Sequence, residues 1–472
     1  MRCAKLSLFL YPEEMKAEIV VIGGGASGLM AAYHAAATLA NEGVCAQVTV
    51  LEKMPRPARK LMITGKGRCN FTNVKDWNDF SGHIRSKVPF IKSAFYNLTP
   101  EKLVDFFDSF GMKSVIERGD RAFPTSYHAS DVVDTLVLAC NSVGVKIVTG
   151  IEVLEVRREQ GGFALDLSDS SCCHCKVLIL ATGGLSYPTT GSSGDGYRFA
   201  SSLGHHITLT FPSLTALVPA LYKEISKPDG LHIDRSEALS PLGESLKGVQ
   251  LKNVRLSLEI EGTVADSEFG DLDFTDGGME GPLGFQLSRK AVKSMLNGSR
   301  CCLELDLKPG VDLTELTERV KALWKEVDTD PRSRRLREKE KCRILLGKLM
   351  PWDLIPGFNL MNPDIITVER RGRRDTKVWI NLPTIAKRLK AWRFPLAGFV
   401  GYERCVVTAG GVDTDEIIAK TMASRLVEGL YFCGELMDFD ADTGGYNLQG
   451  AFCTGALAGR NSALFLSQNS QG

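Results

Sequence analysis

The sequence predicts an α/β protein in which a Rossmann-type dinucleotide-binding domain is interrupted by an inserted antiparallel β domain and a helical region. Three observations predict it. An apolar run, Ile19 to Ile22, opens into Gly23-x-Gly25-x-x-Gly28 and then an alanine-rich helical stretch. A second apolar strand ends in Glu52, 24 residues beyond Gly28. Signals of the same kind return only near the C-terminus, after a middle section of different periodicity.

The three glycines provide a tight turn (Gly23), close backbone approach to a pyrophosphate (Gly25) and close packing of helix on strand (Gly28). A carboxylate at the end of the second strand accepts hydrogen bonds from the ribose hydroxyls of an adenosine and repels a 2′-phosphate, which gives Glu52 its meaning. A glycine-rich turn with no ligand is the plain alternative, and the complete strand-turn-helix-strand-Glu context weighs against it.

Residues 53–73 are rich in Gly, Pro and cations and read as a loop. Arg59, Lys60, Lys66 and Arg68 suit a diphosphate site, and Gly65 and Gly67 let backbone lie against a flat or anionic group; the competing reading is a solvated basic loop. Cys69 has no neighbouring cysteine, which favours packing or cofactor contact over disulfide exchange. Helices are expected over 99–111, where Thr99 caps and Gly111 stops, and from Ser130 to Gly144. Val145 to Val148 reads as a parallel strand, 152–157 and 163–167 as a hairpin around Gly161-Gly162, and 176–181 as a buried strand. Val153 falls where the hairpin can offer main-chain atoms to an adenine edge. Cys172-Cys173-His174-Cys175 lacks zinc-finger spacing and a second pair, so no metal is assigned. The stretch Gly191 to Gly196 is not a second dinucleotide turn. The chain therefore holds one such site, which a nicotinamide can only visit.

From 205 to 310 apolar alternation (Val254, Leu256, Leu258, Ile260; then Leu303, Leu305, Leu307) suggests an antiparallel β domain, and 311–395 reads as mostly helical. Two basic runs, Arg332 to Lys341 and Arg370 to Arg374, read first as solvated faces, with an anion or NADPH-phosphate role as the alternative. His205-His206 lacks companion ligands and reads as structural. Beyond 396 a strand ends at Gly434-Glu435, and a helix starts after Asp442 to Leu448. The amides at that helix N-terminus, around Gly445, Tyr446, Asn447 and Leu448, would stabilise negative charge on a reduced flavin, and Glu435 could accept a ribityl hydroxyl.

Composition limits the function classes. The chain has 472 residues and a net charge of +1, which offers no electrostatic argument for nucleic acid or an anionic membrane. The 13 cysteines and a short, interrupted apolar start (Leu6 to Tyr11) favour reduced thiols in a cytoplasm over secretion, and no apolar run reaches transmembrane length.

Five motifs carry a resemblance to a known family: the glycine stretch from Gly23; Arg59 to Asn73; Ala181-Thr-Gly-Gly-Leu-Ser-Tyr-Pro-Thr-Thr-Gly191; Thr408-Ala-Gly-Gly-Val412; and Leu430 to Asp438 with Thr443 to Gln449. They resemble the BaiN-type NAD(P)/FAD-dependent oxidoreductases, also known as aminoacetone-oxidase-family FAD-binding enzymes, across nearly the whole chain. Met15-Lys-Ala-Glu-Ile-Val-Val reads as the start of the dinucleotide domain, with residues 1–14 an N-terminal extension, and the resemblance implies an FAD-binding domain (15–204 and 396–472), an inserted β-rich domain (205–310) and a helical region of that insert (311–395). It implies FAD contacts from Ala26, Glu52, Lys53, Arg59, Lys60, Val153, Glu435 and Asn447. Two departures stand out: Asp276 to Pro282 replaces a Phe-Gly-(Leu/Ile)-Ser-Gly-Pro motif, and Gly450 stands where Trp is common. Both are expected on the substrate face.

The expected activity is hydride transfer between flavin N5 and a small organic substrate, with NADH or NADPH as a transient partner and a steroid- or bile-acid-like enone as the favoured acceptor. Oxidation of an amine or aminoketone, or a flavin-binding sensor or scaffold without turnover, are the alternatives. Tyr187 and Tyr446 are candidate proton donors; no catalytic residue is assigned.

Overall fold

The computed structural model describes residues 15–224, 230–370 and 376–470. The expected N-terminal extension (1–14) and Arg371, Arg373 and Arg374 of the second basic run lie outside the described residues. The chain forms two compact units, one from the segments up to Phe211 and from Val407 onward, the other from Pro212 to Val406.

In the first unit β1 (Ile19–Ile22) is buried at every residue, as a strand covered on both faces must be. It turns through Gly23 to Gly25 into α1 (Ala26–Asn41), and β2 (Val48–Glu52) follows. The stretch expected as one loop folds instead into α2 (Arg59–Ile63) and a tight 3₁₀ turn at Thr64–Gly67. After a single helical turn at Trp77–Ser81 come α3 (Val88–Asn97), which sequence periodicity did not reveal, and α4 (Pro100–Ser109). The Thr99 hydroxyl caps α4 by accepting from the Lys102 N–H, and Pro100 occupies the first turn. Then come α5 (Ala129–Ser142), β3 (Lys146–Thr149), the hairpin β4 (Val153–Glu159) and β5 (Gly162–Leu167), β6 (Cys172–Cys175) and β7 (Val177–Leu180).

The second unit contains a closed barrel. Its strands are β8 (Leu217–Pro219), β9 (Gln250–Ile260), β10 (Thr263–Thr275), β11 (Gly278–Glu280), β12 (Cys301–Asp306) and β15 (Trp392–Phe399), in the order β8-β11-β10-β9-β12-β15. Helix α6 (Gly281–Leu296) packs on β10. Between β12 and β15 lie α7 (Leu313–Thr329), α8 (Glu338–Leu349), the hairpin β13 (Ile366–Arg370) and β14 (Thr376–Ile380), and α9 (Leu382–Lys390). The barrel is thus completed from within 392–399. Trp392 and Phe394 on its last strand are buried, and Phe274 meets Phe394 at 5.8 Å.

The chain re-enters the first unit with β16 (Ile417–Ile418), β17 (Ala423–Ser424), β18 (Leu430–Phe432) and the long helix α10 (Tyr446–Ser470). The central sheet runs β16-β17-β18-β7-β1-β2-β3, with β18, β7, β1, β2 and β3 all parallel. Helix α1 lies against α10 at backbone contact: a Cβ on Gly455 would fall 2.3 Å from the Ser27 carbonyl, and one on Gly459 2.0 Å from that of Ala31. The fold is the Rossmann-type α/β architecture with an inserted antiparallel β domain and helices.

Candidate functional site

The glycine turn is forced by its neighbours. A Cβ at Gly28 would sit 1.9 Å from the Gly23 carbonyl, and Gly23 itself has φ +105°. Gly25 is different: no atom lies within 4 Å of where its Cβ would be, so the turn is open on that side. Helix α1, beginning at Ala26, has no side-chain cap, which leaves its first-turn amides and positive dipole end directed at that opening.

Glu52 closes the turn from β2. One of its carboxylate oxygens accepts from the Gly24 N–H and the other from the Met54 N–H, each at 2.8 Å. Two backbone donors leave lone pairs for further acceptance. Burial raises the Glu52 pKa, against the opposing pull of those two N–H groups and of Lys53 and Arg59. Beside it the Ile151 N–H donates to the Glu52 carbonyl and the Gly150 N–H to that of Met54, which brings the segment entering β4, and so buried Val153, to the end of β2.

Lys53 is paired with Asp195 at 2.5 Å and also donates to Ser193. Arg59 starts α2 and is exposed, following a left-handed Ala58 whose N–H is tied to the Gly24 carbonyl. Gly65, at φ +56°, shapes the following turn. Cys69 is buried, and burial pushes its thiol up to about 12, so no thiolate is available there for exchange.

At the other end of the unit Glu435 is tied to three other segments of the chain. It sits in a 3₁₀ turn (Gly434–Leu436) after β18, and its carboxylate is consumed inside the protein. Lys60 Nζ lies 2.5 Å from one oxygen, while the other accepts from Ser186 Oγ at 2.6 Å and from the Thr408 N–H at 2.8 Å. Lys60 also donates to Ser186, and Thr408 Oγ1 accepts from the Leu185 and Ser186 amides. This clasp joins four distant segments. It engages Lys60 and Glu435 with each other.

The start of α10 is held by a second network. Gly444 and Gly445 have φ +120° and +98°, and a Cβ on Gly445 would strike the Thr72 carbonyl carbon at 2.4 Å. Asn73 Nδ2 donates to the Gly444 carbonyl. The Asn447 side chain accepts from the Ala441 N–H and donates to the Ala441 and Asp442 carbonyls, so its amide shapes the turn instead of facing outward. Leu448 is half-buried and Tyr446 buried. The Tyr446 ring stacks on His83 at 4.2 Å and meets Phe80 edge-on at 5.0 Å. Burial first, and the Asp442 charge second, raise the Tyr446 pKa and keep the phenol protonated. Asp442 accepts from Arg85 and lies 3.0 Å from His83 Nδ1. Nothing in the sequence singles out His83 and Arg85, because Ser81-Gly-His-Ile-Arg85 has neither periodicity nor a motif.

The remaining candidates separate from this site. In β6, Cys173 and Cys175 are buried on one face while Cys172 and His174 project from the other, so the four cannot converge on one metal. His205 bridges Glu416 (3.0 Å) and Ser424 (2.8 Å). A side chain at Gly450 would collide with the Phe439 ring at 2.3 Å, so glycine is needed there for packing. Asp276 and Glu280, from the other departure, both pair with Arg404 inside the second unit.

The residues fit a dinucleotide: an uncapped helix start behind a turn that opens at Gly25, a carboxylate with spare acceptor capacity at the neighbouring strand end, and a second helix start reached through two left-handed glycines. Fold and site define a dinucleotide-binding protein. The family model described as the HI0933-like protein Rossmann domain matches residues 17–461, and the chain belongs to that family, in line with the resemblance carried by its motifs. It is an FAD-dependent oxidoreductase. It is 30% identical over 445 residues to the 3-dehydro-bile acid delta(4,6)-reductase of Clostridium scindens, covering 94% of this chain and 98% of that one. It is 30% identical over 438 residues to the ribosomal RNA dihydrouridine synthase of Escherichia coli (92% and 95% covered), and 29% over 445 to that of Haemophilus influenzae (92% and 96%). Among the described residues no helix is long and apolar enough to cross a membrane.

Proposed function

We propose that this enzyme saturates a carbon–carbon double bond conjugated to a carbonyl, taking electrons from NADH or NADPH through a resident FAD. The observation that carries the reading is the single glycine turn with Glu52 at its side, in one unit with the Gly444-Gly445 entry to α10: it suits one resident dinucleotide and leaves a nicotinamide as a visitor. The names of the relatives support the bond type. A 3-dehydro-bile acid with Δ4,6 unsaturation and a uracil ring both present an alkene conjugated to a carbonyl, so a steroid-like enone and a pyrimidine share the chemistry.

The cofactor would be held by Gly23, Gly25, Ala26 and Gly28 at its pyrophosphate, by Glu52 at the adenosine ribose and by main chain near Val153 at the adenine. Arg59 and Lys53 would contribute positive charge, with Gly65 shaping the turn between them and the flavin end. FAD supplies a hydride acceptor and donor at its flavin ring. The protein's own contribution is electrostatic and positional. The free amides at the start of α10 favour negative charge beside Gly445 to Leu448, and the Lys60–Glu435–Ser186–Thr408 clasp fixes α2 against the strand ends. Tyr446, held protonated, and Tyr187 offer hydroxyls that can donate a proton to the carbon next to the carbonyl.

The test is anaerobic. Addition of NADPH or NADH bleaches the flavin absorbance of the purified protein, and a 3-oxo-Δ4 steroid or a uridine oligonucleotide restores it. Bleaching by an amine or aminoketone, with peroxide formed on admitting air, would replace the reading by an oxidase. A flavin that none of these reagents bleaches would make the protein a sensor or scaffold.

A further inference from the structure

The small antiparallel sheet β4–β5–β6 carries chemistry that the dinucleotide site does not use. Strand β6 pairs with β5 at Cys172↔Asp166 and His174↔Ala164, and β5 pairs with β4 at Ala164↔Arg157 and Gly162↔Glu159. Side chains alternate along a strand, so Cys172, His174, Asp166, Arg157 and Glu159 share one face, while Cys173 and Cys175 are buried on the other. Between the outer strands β5 offers only Ala164 and Gly162, and His174 reaches across them to Glu159.

His174 Nδ1 lies 3.1 Å from a Glu159 carboxylate oxygen, and its Nε2 lies 3.5 Å from Cys172 Sγ. An ionised carboxylate can only accept, so Nδ1 carries the hydrogen and Nε2 turns its lone pair to the thiol. The order is nucleophile, base and base-orienting carboxylate, an arrangement that activates a thiol. Asp166 does not compete for the imidazole, since Arg157 holds it through both terminal guanidinium nitrogens. Burial first, and the Asp166 charge second, raise the Cys172 pKa, so the resting thiol is protonated and needs that base. Other thiols lack one. Cys140, Cys301 and Cys453 donate to backbone carbonyls, which take no proton, and exposed Cys45 makes no hydrogen bond among the described residues.

We propose that Cys172 is a site of reversible modification by a small disulfide of net positive charge, with His174 as its base and Glu159 positioning that base. The thiol proton passes to His174 Nε2, and the thiolate sulfur attacks one sulfur of the disulfide. The S–S bond of the reagent breaks, the departing thiolate takes the proton from His174, and a mixed disulfide is left on Cys172. The protein thiol is oxidised and half of the reagent is reduced to a thiol, so no further oxidant is needed. The sign of the charge follows from the same face, where Glu155, Glu159 and Asp166 outnumber Arg157. None of these residues belongs to the dinucleotide site, and the proposal does not depend on which bond the enzyme reduces.

The experiment treats the full-length flavoprotein with cystamine and follows the mixed disulfides at Cys172 and Cys45 over time by peptide mass spectrometry. Cys45, more exposed and without a base, is the control within the same molecule. Cys172 is expected to react faster than Cys45 by about tenfold or more, and His174→Asn to remove that advantage, because a positioned base supplies a factor of this size. Glu159→Gln should fall between the two, with the Cys45 rate unchanged. Cystamine should outrun the anionic glutathione disulfide, by a smaller margin at about 1 M salt than at about 0.01 M. All variants should keep their flavin absorbance, which separates lost reactivity from lost fold. Cys172 reacting no faster than Cys45, His174→Asn reacting as fast as wild type, or glutathione disulfide outrunning cystamine would each overturn the proposal.

Discussion

Glu52 and Glu435 lie at corresponding places in the molecule, each at or just beyond the C-terminal end of a parallel strand of the same sheet, β2 and β18. They do different work. Glu52 receives one backbone N–H on each oxygen and keeps acceptor capacity. Glu435 receives an ammonium, a hydroxyl and a backbone N–H from three separate segments. The two carboxylates thus share a position at a strand end and differ in their donors: two local backbone amides for Glu52, three distant segments for Glu435.

The comparison breaks most clearly at Glu435. Glu435→Ala should leave Lys60, Ser186 and the Thr408 amide partly buried without their acceptor, costing about 3 kcal/mol and lowering Tm by about 5–10 °C in differential scanning calorimetry. Pairing Glu435→Gln with Lys60→Met should recover at least half of the loss caused by Lys60→Met alone, because no uncompensated charge remains; a simple sum of the two single effects would show that the clasp is not a coupled unit.

Glu52→Gln should behave in the opposite sense. It is expected to destabilise the flavin-free protein by only about 1 kcal/mol, because the amide NH2 cannot accept from one of the two backbone N–H groups, while weakening FAD by about 2 kcal/mol, roughly thirtyfold, in a flavin-fluorescence titration. The smallest effect is the pH dependence. Because burial raises the folded-state pKa of Glu52 above its ordinary 4.5, its contribution to stability in the flavin-free protein is present below 4.5 and lost as pH rises through the folded value. FAD needs the ionised form, so acidification through that same raised pKa should release flavin, and Glu52→Gln should flatten the release curve.

The difference between the two carboxylates also marks what could be read from the sequence. The Gly23–Gly28 turn, Glu52 and the β4–β5 hairpin were legible because each rests on short-range chemistry: left-handed glycines, an apolar run and a turn between alternating strands. The Glu435 clasp was not, since Lys60 and Glu435 are 375 positions apart and Ser186 and Thr408 belong to no periodic pattern. Residues 53–73 looked like a loop because Pro and Gly punctuate a cation-rich stretch, yet the Ala58–Gly24 bond allows a short helix to start there. Barrel closure by β15 was hidden by the helices between it and β12, which made 392–399 resemble the return to the first unit.

The glycine-to-backbone contact between α1 and α10 has a consequence for how the chain is made. Helix α1 ends at Asn41 and its partner begins at Tyr446, so at about 5–20 residues per second α1 waits roughly 20–80 s for the helix that covers it. Throughout that interval the second unit, a single continuous stretch from Pro212 to Val406, emerges whole. The cofactor site is therefore finished only after the second unit, although its glycine signature is made before it.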